Sequence, residues 1–241
     1  MTYRELLPII CDSPRYSTIM TADIALALLV IAIAYLLGSI PSAYIVARLM
    51  KGVDIREVGD GRLGAAFTFR RVGLAGGIIV GLMDLAKGAA AVLLAQVLGV
   101  SLPVVLLAAL AAVAGHNWSV FLRFQGGKGA LTIYGALAVL MFSQLLVALA
   151  LGGIVYLITH KTGMATGILL GCLSLIIWFT SSLIPLGSLI PLGDKMLLGD
   201  KIMLSILPLV IAIPMAVKHI TMPKASAGAV TTRKSSKKKR G

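Results

Sequence analysis

Long apolar runs separated by short polar stretches set the pattern of this chain. They fall at about 22–49, 74–99, 102–117, 130–142, 143–159, 162–184 and 202–218. Runs of this length and hydropathy predict helices buried in lipid. Segment 130–159 holds thirty residues and no charge. Its hydropathy alone allows one long tilted helix or two short ones. Spans of about 14 to 16 residues are below the usual ~20, which predicts helices that tilt or pack around a shallow cavity.

Cation placement separates the two cases. With two helices in 130–159, the basic stretches 48–72, 118–129, Lys161 and the tail from Lys218 share one side, which then holds 17 of the 22 lysines and arginines. Arg4, Arg15, Lys195 and Lys201 lie opposite, and Lys87 falls inside a span. With one helix, the split becomes ten against eleven. Cytoplasmic loops carry the excess of lysine and arginine. The charge pattern therefore predicts an all-α polytopic protein with seven transmembrane helices, N-terminus outside and C-terminus cytoplasmic.

Composition closes off other classes. Residues are 59% hydrophobic and only 13% charged, with a mean hydropathy of +0.99. No soluble domain buries that much apolar surface. The net charge of +13 then reports topology and contact with anionic lipid, and no nucleic-acid partner is expected. Cys11 and Cys172 have neither a pairing pattern nor metal-ligand spacing. Residues 1–21 read as an extracytoplasmic segment, 22–220 as the membrane domain and 221–241 as a disordered basic cytoplasmic tail. Each cation of Lys237-Lys238-Lys239-Arg240 adds about 1 kcal/mol of attraction to an anionic leaflet.

Two glycine-rich basic loops fall on the same predicted face. The first spans Lys51 to Gly73 and contains Gly59, Asp60, Gly61, Arg62, Gly64 and Arg70. The second runs from Gly115-His116-Asn117-Trp118 to Gly126-Gly127-Lys128-Gly129. Glycine allows converging N–H groups, and cations beside them suit phosphate. Basic loops with glycine turns are the plainer alternative for the first, and an aromatic belt accounts for Trp118. Asp84 and Lys87, at i and i+3, share a helix face inside a span. Ionisable groups there are functional by default, although a structural pair locking two helices fits the same spacing. Lys218-His219 reads as a helix C-terminus whose cations complement the dipole. No nucleophile–base triad or metal cluster stands out, so any catalysis relies on binding and orienting anions.

Taken in order, Gly38-Ser39-Ile40-Pro41-Ser42, Gly52-Val53-Asp54-Ile55-Arg56, Asp84-Leu85-Ala86-Lys87-Gly88 and Gly115-His116 through Gly126-Gly127-Lys128-Gly129 resemble the motifs of the acyl-phosphate-dependent glycerol-3-phosphate acyltransferases (PlsY). The resemblance covers roughly residues 24–220. It implies a seven-span enzyme of a bacterial plasma membrane with its active-site loops cytoplasmic. It implies transfer of an acyl group from acyl phosphate to the 1-hydroxyl of glycerol 3-phosphate, giving lysophosphatidate and phosphate. No cofactor or metal is implied. By the same resemblance Arg70, Lys128 and His219 are catalytic, with phosphate or substrate held by Gly59, Asp60, Gly61, Arg62, Gly64, Asp84, Lys87, His116, Gly126, Gly127 and Gly129.

Departures from the family pattern concentrate in two places. The family loop Gly-Ser-Gly-Asn-x-Gly-Ala-Thr-Asn is here Gly59 to Phe67, with Asp60, Arg62, Ala66 and Phe67 at the changed positions. The Asn-, Arg- and Glu-containing segment after the last span is replaced by Ile220-Thr221-Met222-Pro223-Lys224. Two readings follow. One is a working acyltransferase with a rewired loop. The other is a catalytically impaired paralogue that binds lipid phosphate or a partner enzyme. A small anion or lipid transporter ranks third.

Overall fold

The computed structural model describes residues 14–54, 64–160, 162–180 and 198–221. Every regular element among them is helical. In chain order they are α1 (Pro14–Ser39), α2 (Ser42–Lys51), α3 (Ala65–Val72), α4 (Leu74–Val97), α5 (Leu102–Asn117), a single 3-10 turn (Val120–Leu122), α6 (Ala130–Leu140), α7 (Phe142–Thr159), α8 (Thr162–Thr180) and α9 (Leu198–Thr221).

The expected first span, 22–49, is broken. Pro41 has no N–H and disfavours helical backbone at Ile40, so α1 ends at Ser39 and α2 restarts at Ser42. The basic stretch 48–72, expected as loop, holds the end of α2 and the whole of α3. α3 forms because Phe67 and Thr68 bury one face, while Thr68 Oγ1 donates to the Gly64 carbonyl at 3.1 Å. Segment 130–159 is two helices, with the break at Met141 (φ −153°, ψ 60°). At 1.5 Å per residue, α6 is only about 16 Å long.

Among the described residues, five segments are long and apolar enough to cross a membrane: Ala22–Lys51, Leu74–Val97, Leu102–Leu122, Phe142–Thr159 and Leu198–Thr221. Ala130–Leu140 and Met164–Phe179 are shorter apolar helices. Large apolar side chains cover the outer surface, with Leu28, Leu82, Leu157 and Ile220 all more than half exposed. Such a surface is stable against lipid and unstable against water.

Small residues carry the inner packing. α1 crosses α5 with backbones touching: a Cβ on Gly38 would overlap the Ala112 carbonyl, and one on Gly115 the Tyr35 carbonyl. α4 and α6 repeat this reciprocal contact, Gly88 against the Thr132 carbonyl and Gly135 against the Leu85 carbonyl. Lipid supplies no hydrophobic drive between helices, so close van der Waals contact does this work. Around these crossings Ala108, Ala109, Ala112, Ile133, Leu137 and Leu140 form the core. The result places Asp84 and Lys87 of α4 beside the end of α5 and the start of α6.

Candidate functional site

The break at Pro41 has a chemical use. Within a continuous helix the Ile40 carbonyl would accept a backbone N–H. Here it is turned out of the helix ladder and accepts both the Ser42 N–H at 3.0 Å and a hydrogen bond from Lys87 Nζ at 3.2 Å. The same ammonium lies 2.9 Å from Asp84 Oδ1, and His116 Nδ1 is 3.5 Å from that oxygen. All three side chains are less than a tenth exposed. An unpaired charge at such a place costs several kcal/mol, by order of magnitude, so each depends on the others.

The loop after α5 is folded onto this cluster. Tyr35 O–H donates to the Trp118 carbonyl at 2.7 Å, and Ser119 Oγ donates to the Ser39 carbonyl. Arg123 and Phe124 both take left-handed backbone, φ 52° and 62°, and turn the chain back. Gly127 N–H then reaches the His116 carbonyl at 3.2 Å. A Cβ on Gly126 would overlap that carbonyl, so only glycine allows the return. Gly129 (φ 79°) opens directly into α6.

Two connected spaces result. A cleft with about 290 Å³ of empty space lies between the α1–α2 break and the second loop. Gly64, Asp84, Lys87, His116, Gly126 and Gly127 line it, with Ser39, Ser42 and Tyr44. A larger groove, with about 1590 Å³ of empty space, shares Gly64, Asp84 and His116 and adds Arg70, Lys128 and Gly129. It then continues along apolar residues of α6, α7 and α8, among them Leu131, Leu149, Ala165 and Leu169. The first residues of α3 and α6, Ala65 and Ala130, open on it. Helix N-termini favour anions. One end of the groove is thus cationic and the other apolar, a shape suited to a lipid with an anionic head.

α9 closes the polar end. Lys128 Nζ lies 2.8 Å from His219 Nδ1. Lys218 is turned inward, 9% exposed, with its ammonium 5.8 Å from the centre of the Trp118 ring. The dipole reading of Lys218-His219 therefore understates both residues. Trp118 likewise does more than sit at an interface, since its carbonyl holds Tyr35 and its ring holds Lys218.

Most site residues expected from the sequence converge. Gly64, Arg70, Asp84, Lys87, His116, Gly126, Gly127, Lys128 and Gly129 line the two spaces, and His219 touches Lys128. Gly59, Asp60, Gly61 and Arg62 lie outside the described residues, as does the tail from Met222. Arg123 lines neither space. Ala66 and Phe67 both face the groove. Phe67 is also packed into a small core with Val46, Val80 and Leu122, and the Arg71 guanidinium lies 5.6 Å from its ring centre. Ser39 and Ser42 were not expected as site residues, and Lys218 was expected only as a cation at a helix C-terminus. Ser39 and Ser42 flank a proline inside an apolar run, which is the signal that marks them.

Comparison with known proteins agrees with this geometry. Residues 28–225 match the model of a family described as glycerol-3-phosphate acyltransferase. Glycerol-3-phosphate acyltransferase 1 of Dehalococcoides mccartyi is 46% identical over 155 residues, covering 62% of this chain and 74% of that protein. Glycerol-3-phosphate acyltransferase 2 of Moorella thermoacetica is 53% identical over 110 residues, covering 46% of this chain and 56% of that protein. Among solved structures, PlsY (YgiH), an integral membrane glycerol 3-phosphate acyltransferase, is similar in its glycerol 3-phosphate form, with a TM-score of 0.64 and 29% identity over 80% of this chain and 88% of that one. Its lysophosphatidic acid form gives a TM-score of 0.60 and 28% identity over 81% and 92%. The fold, the two glycine loops and these relatives together place the chain in the glycerol-3-phosphate acyltransferase family.

Proposed function

We propose that this protein transfers an acyl group from acyl phosphate to the 1-hydroxyl of glycerol 3-phosphate. The observation that carries this reading is the single groove with Arg70 and Lys128 at one end and an apolar channel at the other. Acyl phosphate is a mixed anhydride, so its leaving group is already good. The hydroxyl oxygen bonds to the acyl carbon, the bond from that carbon to the phosphate oxygen breaks, and the hydroxyl proton ends on the released phosphate. The protein's task is to hold two phosphates close together against their repulsion. Lys128, Arg70 and the N–H groups of the second loop do this by charge and placement. His219 orients Lys128, and the Asp84–Lys87–His116 cluster fixes the loop that carries it. The acyl chain lies along α7 and α8. No metal or cofactor enters this scheme.

The charge distribution supports seven crossings, with the N-terminus outside, the C-terminus cytoplasmic and both loops on the cytoplasmic face of a bacterial plasma membrane. The basic tail would then lie against the anionic leaflet.

A second reading has one observation in its favour. Ala66 and Phe67 present no donor to the groove, where the family pattern has Thr and Asn, and Phe67 is committed to the core. On that reading the protein binds lipid phosphate, or a partner enzyme, without turnover. Phosphate release from hexadecanoyl phosphate by the purified protein in nanodiscs, with and without glycerol 3-phosphate, separates the two. Acceptor-dependent release that is lost in Lys128→Ala supports the enzyme. Absence of release beside an active relative supports the second reading.

A further inference from the structure

The apolar part of the large groove has one wall left open by glycine. α7 brings Gly152 and Gly153 to it. A Cβ on Gly152 would press on Leu169 of α8, 2.9 Å from its Cδ1. Gly152 therefore sets how closely α7 approaches α8. A Cβ on Gly153 would meet no atom within 4 Å, yet Gly153 lines the groove. Here glycine keeps space empty. The other wall is tied shut, because Tyr134 O–H of α6 and Thr166 Oγ1 of α8 lie 2.9 Å apart.

The position of this opening along the groove matters. Tyr134 is about 6 Å along α6 from Ala130, which sits at the cationic end, at 1.5 Å per residue. Leu169 is a further ~4.5 Å along α8 from Thr166. Gly152, against Leu169, and Gly153 beside it thus lie further from the cationic end than the Tyr134–Thr166 pair, in the part of the groove that only a longer acyl chain reaches.

We propose that Gly153 sets the length of acyl chain the groove accepts, by leaving room for the distal half of a long chain where any larger side chain would block it. This rests on the acyl phosphate reading above. Gly167 of α8 supplies the control. Its Cβ position is also empty within 4 Å, but it does not line the groove.

The test compares Gly153→Leu and Gly167→Leu with the unchanged protein in nanodiscs, using octanoyl, dodecanoyl and hexadecanoyl phosphate. In Gly153→Leu, kcat/KM for hexadecanoyl relative to octanoyl phosphate falls about tenfold or more. In Gly167→Leu the ratio stays as it was. Gly153→Ala, a single added methyl, shifts the ratio the same way by less and serves if the leucine variant does not fold. An unchanged ratio in both Gly153 variants, or an equal shift in Gly167→Leu, overturns the proposal. If the unchanged protein turns over no acyl phosphate, the donor assignment fails. The groove is then read by thermal stabilisation with octyl and hexadecyl phosphate. An advantage of the longer chain that disappears only in the Gly153 variants upholds the proposal, and one that survives in them overturns it.

Discussion

Lys128 Nζ and His219 Nδ1 meet at 2.8 Å, joining the second glycine loop to the last turn of α9. The ammonium donates and the ring nitrogen accepts, so His219 restricts Lys128 to one of its many rotamers. Because the two act as one unit, their losses do not add. Lys128→Ala lowers kcat/KM about 10²–10³-fold, the scale for one electrostatic donor to developing charge. His219→Ala costs less, and the double variant resembles Lys128→Ala alone. A double-mutant cycle on turnover with hexadecanoyl phosphate checks this, and strictly additive losses would refute the coupling.

The buried cluster makes a prediction about stability. Lys87→Met leaves Asp84 without its lysine partner and takes one of the donors from the Ile40 carbonyl, at a cost of about 3–5 kcal/mol. Removing both charges, in Asp84→Leu with Lys87→Met, is expected to recover much of that stability while activity stays lost. Thermal unfolding in detergent beside an activity assay distinguishes the cases. A double variant less stable than Lys87→Met would count against mutual charge compensation.

The glycine crossings predict opposite outcomes for similar changes. Gly135→Ala drives a methyl into the Leu85 carbonyl and separates α4 from α6, costing about 1–3 kcal/mol. Gly171→Ala meets no atom within 4 Å and leaves the melting temperature near that of the unchanged protein. Equal melting temperatures for the two variants would mean that the backbone contact is not a support.

Lys218 and Trp118 act on the site through their neighbours. Trp118→Leu removes the ring under the Lys218 ammonium, an interaction of about 0.5–2 kcal/mol, and loosens the end of α9. The expected effect is a fall in kcat with little change in KM, shared by Lys218→Met and rescued in part by Lys218→Arg. A rise in KM alone would instead make Lys218 a direct substrate ligand.

Much of the helix order was readable from hydropathy. The runs at 74–99 and 102–117 correspond closely to Leu74–Val97 and Leu102–Asn117, because their ends are marked by Gly, Ser and Pro. The division of 130–159 could not be read from hydropathy alone, since the segment holds no charge and Ser143-Gln144 interrupt its apolar run only briefly; the distribution of cations predicted it, and the structure puts the break at Met141. The interruption of 22–49 was missed although Pro41 stood in plain view, because the apolar pattern continues through it. α3 was missed for the opposite reason: its charges hid a short amphipathic helix. In the site, Asp84 and Lys87 announce each other by local spacing. His219 and Lys128 are 91 residues apart, and only packing of α9 against the bundle brings them together. The same holds for Tyr134 and Thr166, which are 32 residues apart on separate helices.

The reciprocal contacts of Gly88 with Thr132 and of Gly135 with Leu85 fall in the same turn of α4 as Asp84 and Lys87. They work as an indexing tooth. A helix held by bulky side chains slides or rotates slightly to absorb an insertion, but one held backbone to backbone has no intermediate setting. A single residue inserted between Gly77 and Asp84 turns one half of α4 against the other by about 100°. Either the turn from Asp84 to Gly88 keeps His116 and the Thr132 carbonyl while Gly77 leaves Phe69, or Gly77 keeps Phe69 and that turn leaves both. A change of length between Gly77 and Gly88 is therefore expected to cost the protein this whole arrangement at once.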